Sequence, residues 1–237
     1  MAANQFCLLA ALGLREHHTL LDVGCGSLRG GKLFLPYLLP GHYFGIEPES
    51  WLIDEGIAAE LGRDIIRVKQ PAFDHNRDFD LGVFGRKFDY VLAQSIFTHA
   101  APPQVRKLLA GARQVMEPGS LFAANFLPGA DHEGSTWTYP TNVTYTLEFL
   151  VAAARAEGLI ALPLTWPVPR LQWLLLGREE NRERVEELAA AVGSAGALRE
   201  LEAARRRLAE LEDAAGRDEA RARRGLGARL RRLLRRG

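Results

Sequence analysis

The sequence predicts an open α/β sheet with helices on both faces, followed by a helical tail, and three observations lead there. Up to about residue 177, short apolar runs alternate with helix-length amphipathic segments. Four glycines within eight residues, Gly24 to Gly31, join the first apolar run to the first amphipathic one. After Gly177 the strand signals stop and Glu, Arg, Ala and Leu dominate. Strands separated by helix-length segments imply parallel βαβ units, because a parallel crossover needs the length of a helix.

The elements follow in order. "MAANQFCLLAALGL" lacks a basic leading region and reads as an amphipathic helix rather than a secretion signal. "TLLDVG" is a short strand, and "LRGGKLFLPYLL" has helical spacing despite Pro36. "HYFGIE" is a second strand, followed by the helical "SWLIDEGIAAELG" with Ser50 as its N-cap. The β-branched "DIIRVK" reads as a third strand. An Asp-rich loop leads to "KFDYVLAQS", a buried fourth strand opened by Asp89. "PPQVRKLLAGARQVM" begins with prolines suited to a first helical turn, and Pro118-Gly119 closes it. "SLFAANF" is a fifth strand, "TLEFLVAAARAEGL" a helix, and "LIALPLTW" and "RLQWLLLG" are two final strands.

Composition agrees with a folded domain plus an appendage: 237 residues, 47% hydrophobic and 25% charged. Cys7 and Cys25 have no metal or disulfide spacing, which points to a reducing, cytoplasmic setting. No run approaches the ~20 apolar residues of a membrane span. The net charge of +1 hides an asymmetry. Between Arg217 and Gly237 nine arginines face only Asp218 and Glu219, a net +7, so the preceding 216 residues carry −6.

A buried strand that ends in glycines and feeds a helix is where open α/β sheets hold nucleotide-like ligands. Glycine lets the backbone turn sharply and approach a ligand closely. The dinucleotide fingerprint Gly-x-Gly-x-x-Gly would place a glycine at position 29, which is Arg29. A phosphate-binding loop would need Ser or Thr after Lys32, where Leu33 stands. What remains, "LDVGCGS", resembles the first motif of the class I S-adenosylmethionine (SAM) dependent methyltransferases. The resemblance covers about residues 19–177 and implies a Rossmann-like sheet of about seven strands, the last antiparallel, with SAM as cofactor. It implies that Gly24 and Gly26 pass under the amino-acid and ribose portion of SAM, with Asp22 beside it. "FGIEPE" places Glu47 where the family's acid grips the ribose hydroxyls, and a carboxylate accepts from both. "KFDYVLAQSIFTHA" matches the fourth strand and its loop, so Gln94 and Ser95 face the methionine part. "ARQVMEPGSLFAANF" matches the family's helix, turn and fifth strand. The acid beside the adenine is sought among Asp74, Asp78 and Asp80, of which Asp78 with Phe79 is preferred.

SAM brings an activated methyl group, so the protein must align a nucleophile with it and take a proton from a hydroxyl acceptor. His99, in the loop after strand four, is the candidate base. Cys25 has nothing beside it to lower its pKa and reads as a packed residue. The polar, aromatic "PGADHEGSTWTYPTNVTY" is long for a connection, and His132, Trp137 and Tyr139 are its candidate substrate contacts. Asp131-His132 alone is too few groups for a metal site. "AQSIF" stands where methyltransferases acting on DNA bases resemble Asn/Asp-Pro-Pro-Tyr/Phe, the acidic body offers no basic groove for phosphates, and there is no double-glutamate loop of the arginine methyltransferase kind. These absences leave a small-molecule or sugar/glycan acceptor, methylated on oxygen rather than nitrogen, and no nucleic-acid partner. The rival reading is a catalytically silent domain acting through its helical tail.

The tail divides in two. Residues 178–216 have a helical, weakly coiled-coil pattern (Leu201, Ala204, Leu208, Leu211, Ala215) suited to self-association. In 217–237, Ala222, Leu226, Leu230, Leu233 and Leu234 share one helical face among arginines, a pattern suited to the inner face of an anionic membrane.

Overall fold

The computed structural model describes residues 2–193. Of the helical segment expected over 178–216, only residues up to 193 are described, and the basic tail at 217–237 lies outside the described residues. The chain forms α1 (Ala2–Ala11), β1 (Leu20–Val23), α2 (Gly31–Tyr37), β2 (Tyr43–Ile46), α3 (Ser50–Gly56), α4 (Arg63–Lys69) and β3 (Ala72–Asp74). It continues through β4 (Phe88–Ala93), α5 (Pro102–Val115), β5 (Met116–Phe126), α6 (Leu147–Ala156), β6 (Leu159–Leu164), β7 (Gln172–Arg178) and α7 (Arg182–Gly193). The seven strands make one sheet in the order β3-β2-β1-β4-β5-β7-β6. β7 enters between β5 and β6 and runs antiparallel to both, while the other pairs are parallel. This is the predicted seven-stranded sheet with its last strand reversed.

Alternation along the strands divides the buried side chains between two faces. Leu21, Val23, Val91, Ala93, Phe122, Ala124, Leu174 and Leu176 belong to the main core with Val105, Leu108, Leu109 and Ala112 of α5 and Leu150, Ala153 and Ala154 of α6. The residues between them face the other way. There Tyr90 Oη donates to Leu12 O just after α1, and Trp173 Nε1 donates to Asn4 Oδ1 of α1. α7 packs on β6 and β7 and buries Val185 and Val192. Asp89 accepts from Thr19 N at 2.7 Å and from Thr19 Oγ1 at 2.8 Å, tying the base of β4 to β1.

Two local expectations are corrected. "DIIRVK" is helix α4, not a strand, and the third strand is the short Ala72–Asp74. Gly62, with φ +81°, separates α4 from the preceding helix, and Gln70 in the left-handed conformation ends it. Ser50 is the first residue of α3 rather than its cap; Glu49 holds the cap position without a side-chain bond.

Candidate active site

The site forms where β1, β2 and β4 end. β1 ends in Val23, and Gly24 and Gly26 then take positive φ, +72° and +54°, which glycine adopts at little cost. A Cβ on Gly24 would stand 2.2 Å from Ile96 Cδ1, so the loop after β4 lies directly on the glycine turn. A Cβ on Gly26 would meet nothing nearer than Gly24 O at 4.0 Å, which leaves open space before that residue. Gly30 serves packing instead, since its bare Cα makes room for the Gln5 carboxamide, whose Oε1 would lie 2.8 Å from a Cβ there.

Two buried carboxylates flank this turn. Asp22 points to the α1 side of β1 and accepts from Tyr43 Oη at 2.7 Å. Burial pushes its pKa up to about 6; the Tyr43 bond opposes this and the Glu47 charge adds to it. Glu47, one residue past β2, accepts from Gly26 N and Glu49 N, each at 3.0 Å. A carboxylate has about four acceptor positions, so about two remain for a ligand. The structure thus joins Gly24, Gly26 and Glu47 around one turn, with Asp22 at its root. Cys25 lies in the same turn, buried, and burial pushes its thiol well above the ordinary range. It is a packed residue, as read from the sequence.

Beyond β4, Gln94 accepts from Gln5 Nε2 at 3.1 Å and donates to Ser95 Oγ. Ser95 has φ +59° and donates its backbone N–H to Asn125 Oδ1 at 2.7 Å. After β3 the three acids differ in employment. Asp74 accepts from Asn76 N at 2.8 Å and Nδ2 at 2.7 Å, and Asp80 accepts from Gly82 N at 3.0 Å to cap a turn at Leu81–Phe84. Asp78 is exposed and pairs with Lys107 at 3.3 Å. Phe79, φ +58°, packs on the core with its ring 6.4 Å from that of Trp137.

His99 is held by the long connection between β5 and α6. Thr138 N donates to His99 O at 3.0 Å, and Val143 N to Thr98 O at 2.7 Å. Tyr145 Oη donates to Ala100 O at 2.6 Å. His99 Nδ1 lies 3.1 Å from Thr141 O, and a carbonyl only accepts, so Nδ1 carries a proton, and in the neutral ring the lone pair is on Nε2. The rings of Trp137 and Tyr139 stand 5.5 Å and 5.3 Å from His99. Both are exposed, at 41% and 72%. Beside them opens a cavity of about 780 Å³ lined by residues that include Asp131, His132, Thr138, Tyr139 and Asn142. The sequence reading missed Gln5, Tyr43 and Asn125. Asn125 did leave a signal, a lone amide within the buried strand "SLFAANF".

An α/β sheet with this order and a glycine turn between two acids defines a domain for a nucleotide-like ligand. Residues 21–122 match the family model of a methyltransferase domain. The fold is similar to the CcbJ methyltransferase of Streptomyces caelestis, with 14% identity, TM-score 0.58 and coverage of 75% of this chain and 89% of that one. It is also similar to the glycopeptide N-methyltransferase MtfA complexed with SAM, with 12% identity, TM-score 0.57, and 75% and 94% coverage. A third likeness is the magnesium protoporphyrin IX methyltransferase of Synechocystis PCC 6803 with bound SAH, with 14% identity, TM-score 0.55, and 75% and 83% coverage. No curated protein matches the sequence. Over residues 21–122 the chain thus carries a methyltransferase domain, whose cofactor is SAM. The residues fit that cofactor: the open space before Gly26 is a cradle that no side chain fills, and the neighbouring Glu47 keeps acceptor positions for the hydroxyls of a ligand.

Proposed function

We propose that this enzyme moves a methyl group from SAM to an oxygen of a small-molecule or sugar/glycan acceptor, with His99 as the base. SAM supplies an electrophilic methyl group when bound. Glu47 accepts from the ribose hydroxyls, Gly24 and Gly26 let the backbone run beneath the ligand, and Asp22 sets a negative charge beside it. Gln94 and Ser95 face its methionine part, and Asp78 with Phe79 flanks the adenine. His99 then takes the hydroxyl proton at Nε2. The observation that carries this reading is the bond from His99 Nδ1 to Thr141 O, which holds the tautomer a base requires. Trp137 and Tyr139, exposed beside that ring, offer apolar faces to an acceptor.

The test is turnover of methyl-labelled SAM against a panel of glycosides, polyols, phenols and amino sugars, followed by His99→Gln on the best acceptor. The reading expects label on oxygen and a kcat lower by about 10²–10⁴-fold with SAM affinity unchanged. An unchanged kcat removes His99 as the base, and label on nitrogen replaces the oxygen acceptor. Among the described residues no helix is long and apolar enough to cross a membrane. We infer that the arginine-rich 217–237 segment brings the enzyme to an anionic membrane surface, for which the support is its sequence pattern. The full chain should sediment with vesicles containing anionic lipid and stay behind with neutral ones; equal behaviour with both contradicts this.

A further inference from the structure

A line of hydrogen bonds crosses the top of the sheet and ends without a partner. Gln5 Nε2 of α1 donates to Gln94 Oε1, Gln94 Nε2 to Ser95 Oγ, and Ser95 N to Asn125 Oδ1. The backbone N–H of Ser95 is a donor, so the carbonyl oxygen of Asn125 must face it and the amide orientation is fixed. Asn125 Nδ2 is then left over. The residue is fully buried, at 0% exposure, and Nδ2 has no partner. Buried donors without partners are few in folded proteins and cost stability, a cost that a bound ligand atom removes.

A second such donor lies at the same end of the sheet. Asn125 stands opposite Trp173, Trp173 stands opposite Leu164, and two residues further is Trp166, whose buried Nε1 is also unpartnered. α1 is tied to this corner as well, since Asn4 Nδ2 donates to Pro167 O at 2.7 Å and Asn4 Oδ1 accepts from Trp173 Nε1 at 3.3 Å. Both unspent groups are donors, so what meets them is an acceptor, an oxygen rather than an ammonium. Hydrogen-bond direction therefore selects the chemistry.

We propose that Asn125 is a ligand-binding residue whose Nδ2 donates to a carboxylate or carbonyl oxygen, belonging either to the amino-acid end of SAM or to the methyl acceptor. This rests on the methyltransferase reading. The relay makes the consequence directional: the atom that completes Asn125 also steadies Ser95, Gln94 and, through Gln5, α1.

Side-chain amide NMR of the full chain reads the group directly, with the Asn125 signals assigned by their loss in Asn125→Asp. That variant keeps an acceptor for Ser95 N, and an unchanged near-ultraviolet circular dichroism spectrum verifies its fold. S-adenosylhomocysteine (SAH), 5′-methylthioadenosine (the same nucleoside without the amino-acid carboxylate), and acetate added to the SAH complex are the probes. A shift of the Asn125 signals with SAH and none with 5′-methylthioadenosine assigns the donor to the cofactor carboxylate. In that case Asn125→Asp binds SAH at least tenfold more weakly and 5′-methylthioadenosine equally well. A shift only on adding acetate assigns it to an acceptor oxygen. Asn125 signals unmoved by all three probes, while calorimetry shows SAH bound, overturn the proposal and leave the methyltransferase reading standing. Failure of SAH to bind the native chain overturns the reading itself.

Discussion

Gly24 and Gly26 stand two residues apart in one turn, yet they are constrained differently. Both have positive φ, which costs a residue with a side chain about 1–2 kcal/mol. Only Gly24 also faces a side chain at contact distance, Ile96. Gly26→Ala should therefore lower stability by about 1 kcal/mol and Gly24→Ala by about twice that or more. Ile96→Ala in the Gly24→Ala background should relieve the clash but not the backbone strain, and urea unfolding of the four proteins measures both parts. Asp22 makes a prediction about pH. Its pKa is raised from the ordinary 3.8 to about 6 by burial, so the native state holds a proton that the unfolded chain releases. Stability contributed in this way is present below about pH 4 and lost as pH rises through 6, about 3 kcal/mol at one pH unit per 1.36 kcal/mol. Asp22→Asn should remove most of that dependence, seen as a smaller difference between unfolding at about pH 4.5 and about pH 7. The glycine turn with Asp22 and Glu47 beside it was legible in the sequence because its residues lie at short, fixed spacing after two strands. Asn125 and Gln5 were not, because their role depends on partners 30 and 89 residues away.

At the scale of elements, local preference and tertiary context disagree once. "DIIRVK" carries three β-branched residues, yet it forms α4 with none of its residues buried, and the edge position beside β2 goes to Ala72–Asp74. The glycine at 62 and the left-handed Gln70 delimit a single short helix, and a weak strand preference does not outweigh that framing. The long connection between β5 and α6 was legible as something more than a loop from its length and aromatic content. Its grip on residues 98–100 was not, since it is made largely by backbone groups that any sequence carries. α7 gives the element-scale prediction. A Cβ on Gly177 of β7 would stand 2.4 Å from Val185 Cγ2 of α7. Gly177→Ala should cost about 1–3 kcal/mol by overpacking, and Val185→Ala beside it should recover part of the loss. Additive effects in urea unfolding would show that the two residues do not meet.

For the whole molecule, alternation of strands and helices announced an open α/β sheet, and right-handed βαβ crossovers limit the strand orders it can adopt. What alternation could not announce was the reversal of the last strand, which came from the family resemblance, or its place between β5 and β6, which the structure adds. The pairing of β1 with β2 and β4 gathers their ends into one site, and the insertion of β7 places Trp173 opposite Asn125. The proposed mechanism depends on this site holding SAM between Asp22 and Glu47. Titration calorimetry of the full chain with SAM, beside Glu47→Ala, decides the matter. Binding by the native protein and a loss of at least about tenfold in the variant are expected, since a buried charged hydrogen-bond partner of the ribose is removed. Equal affinity in the two proteins, or no heat from the native one, would contradict it.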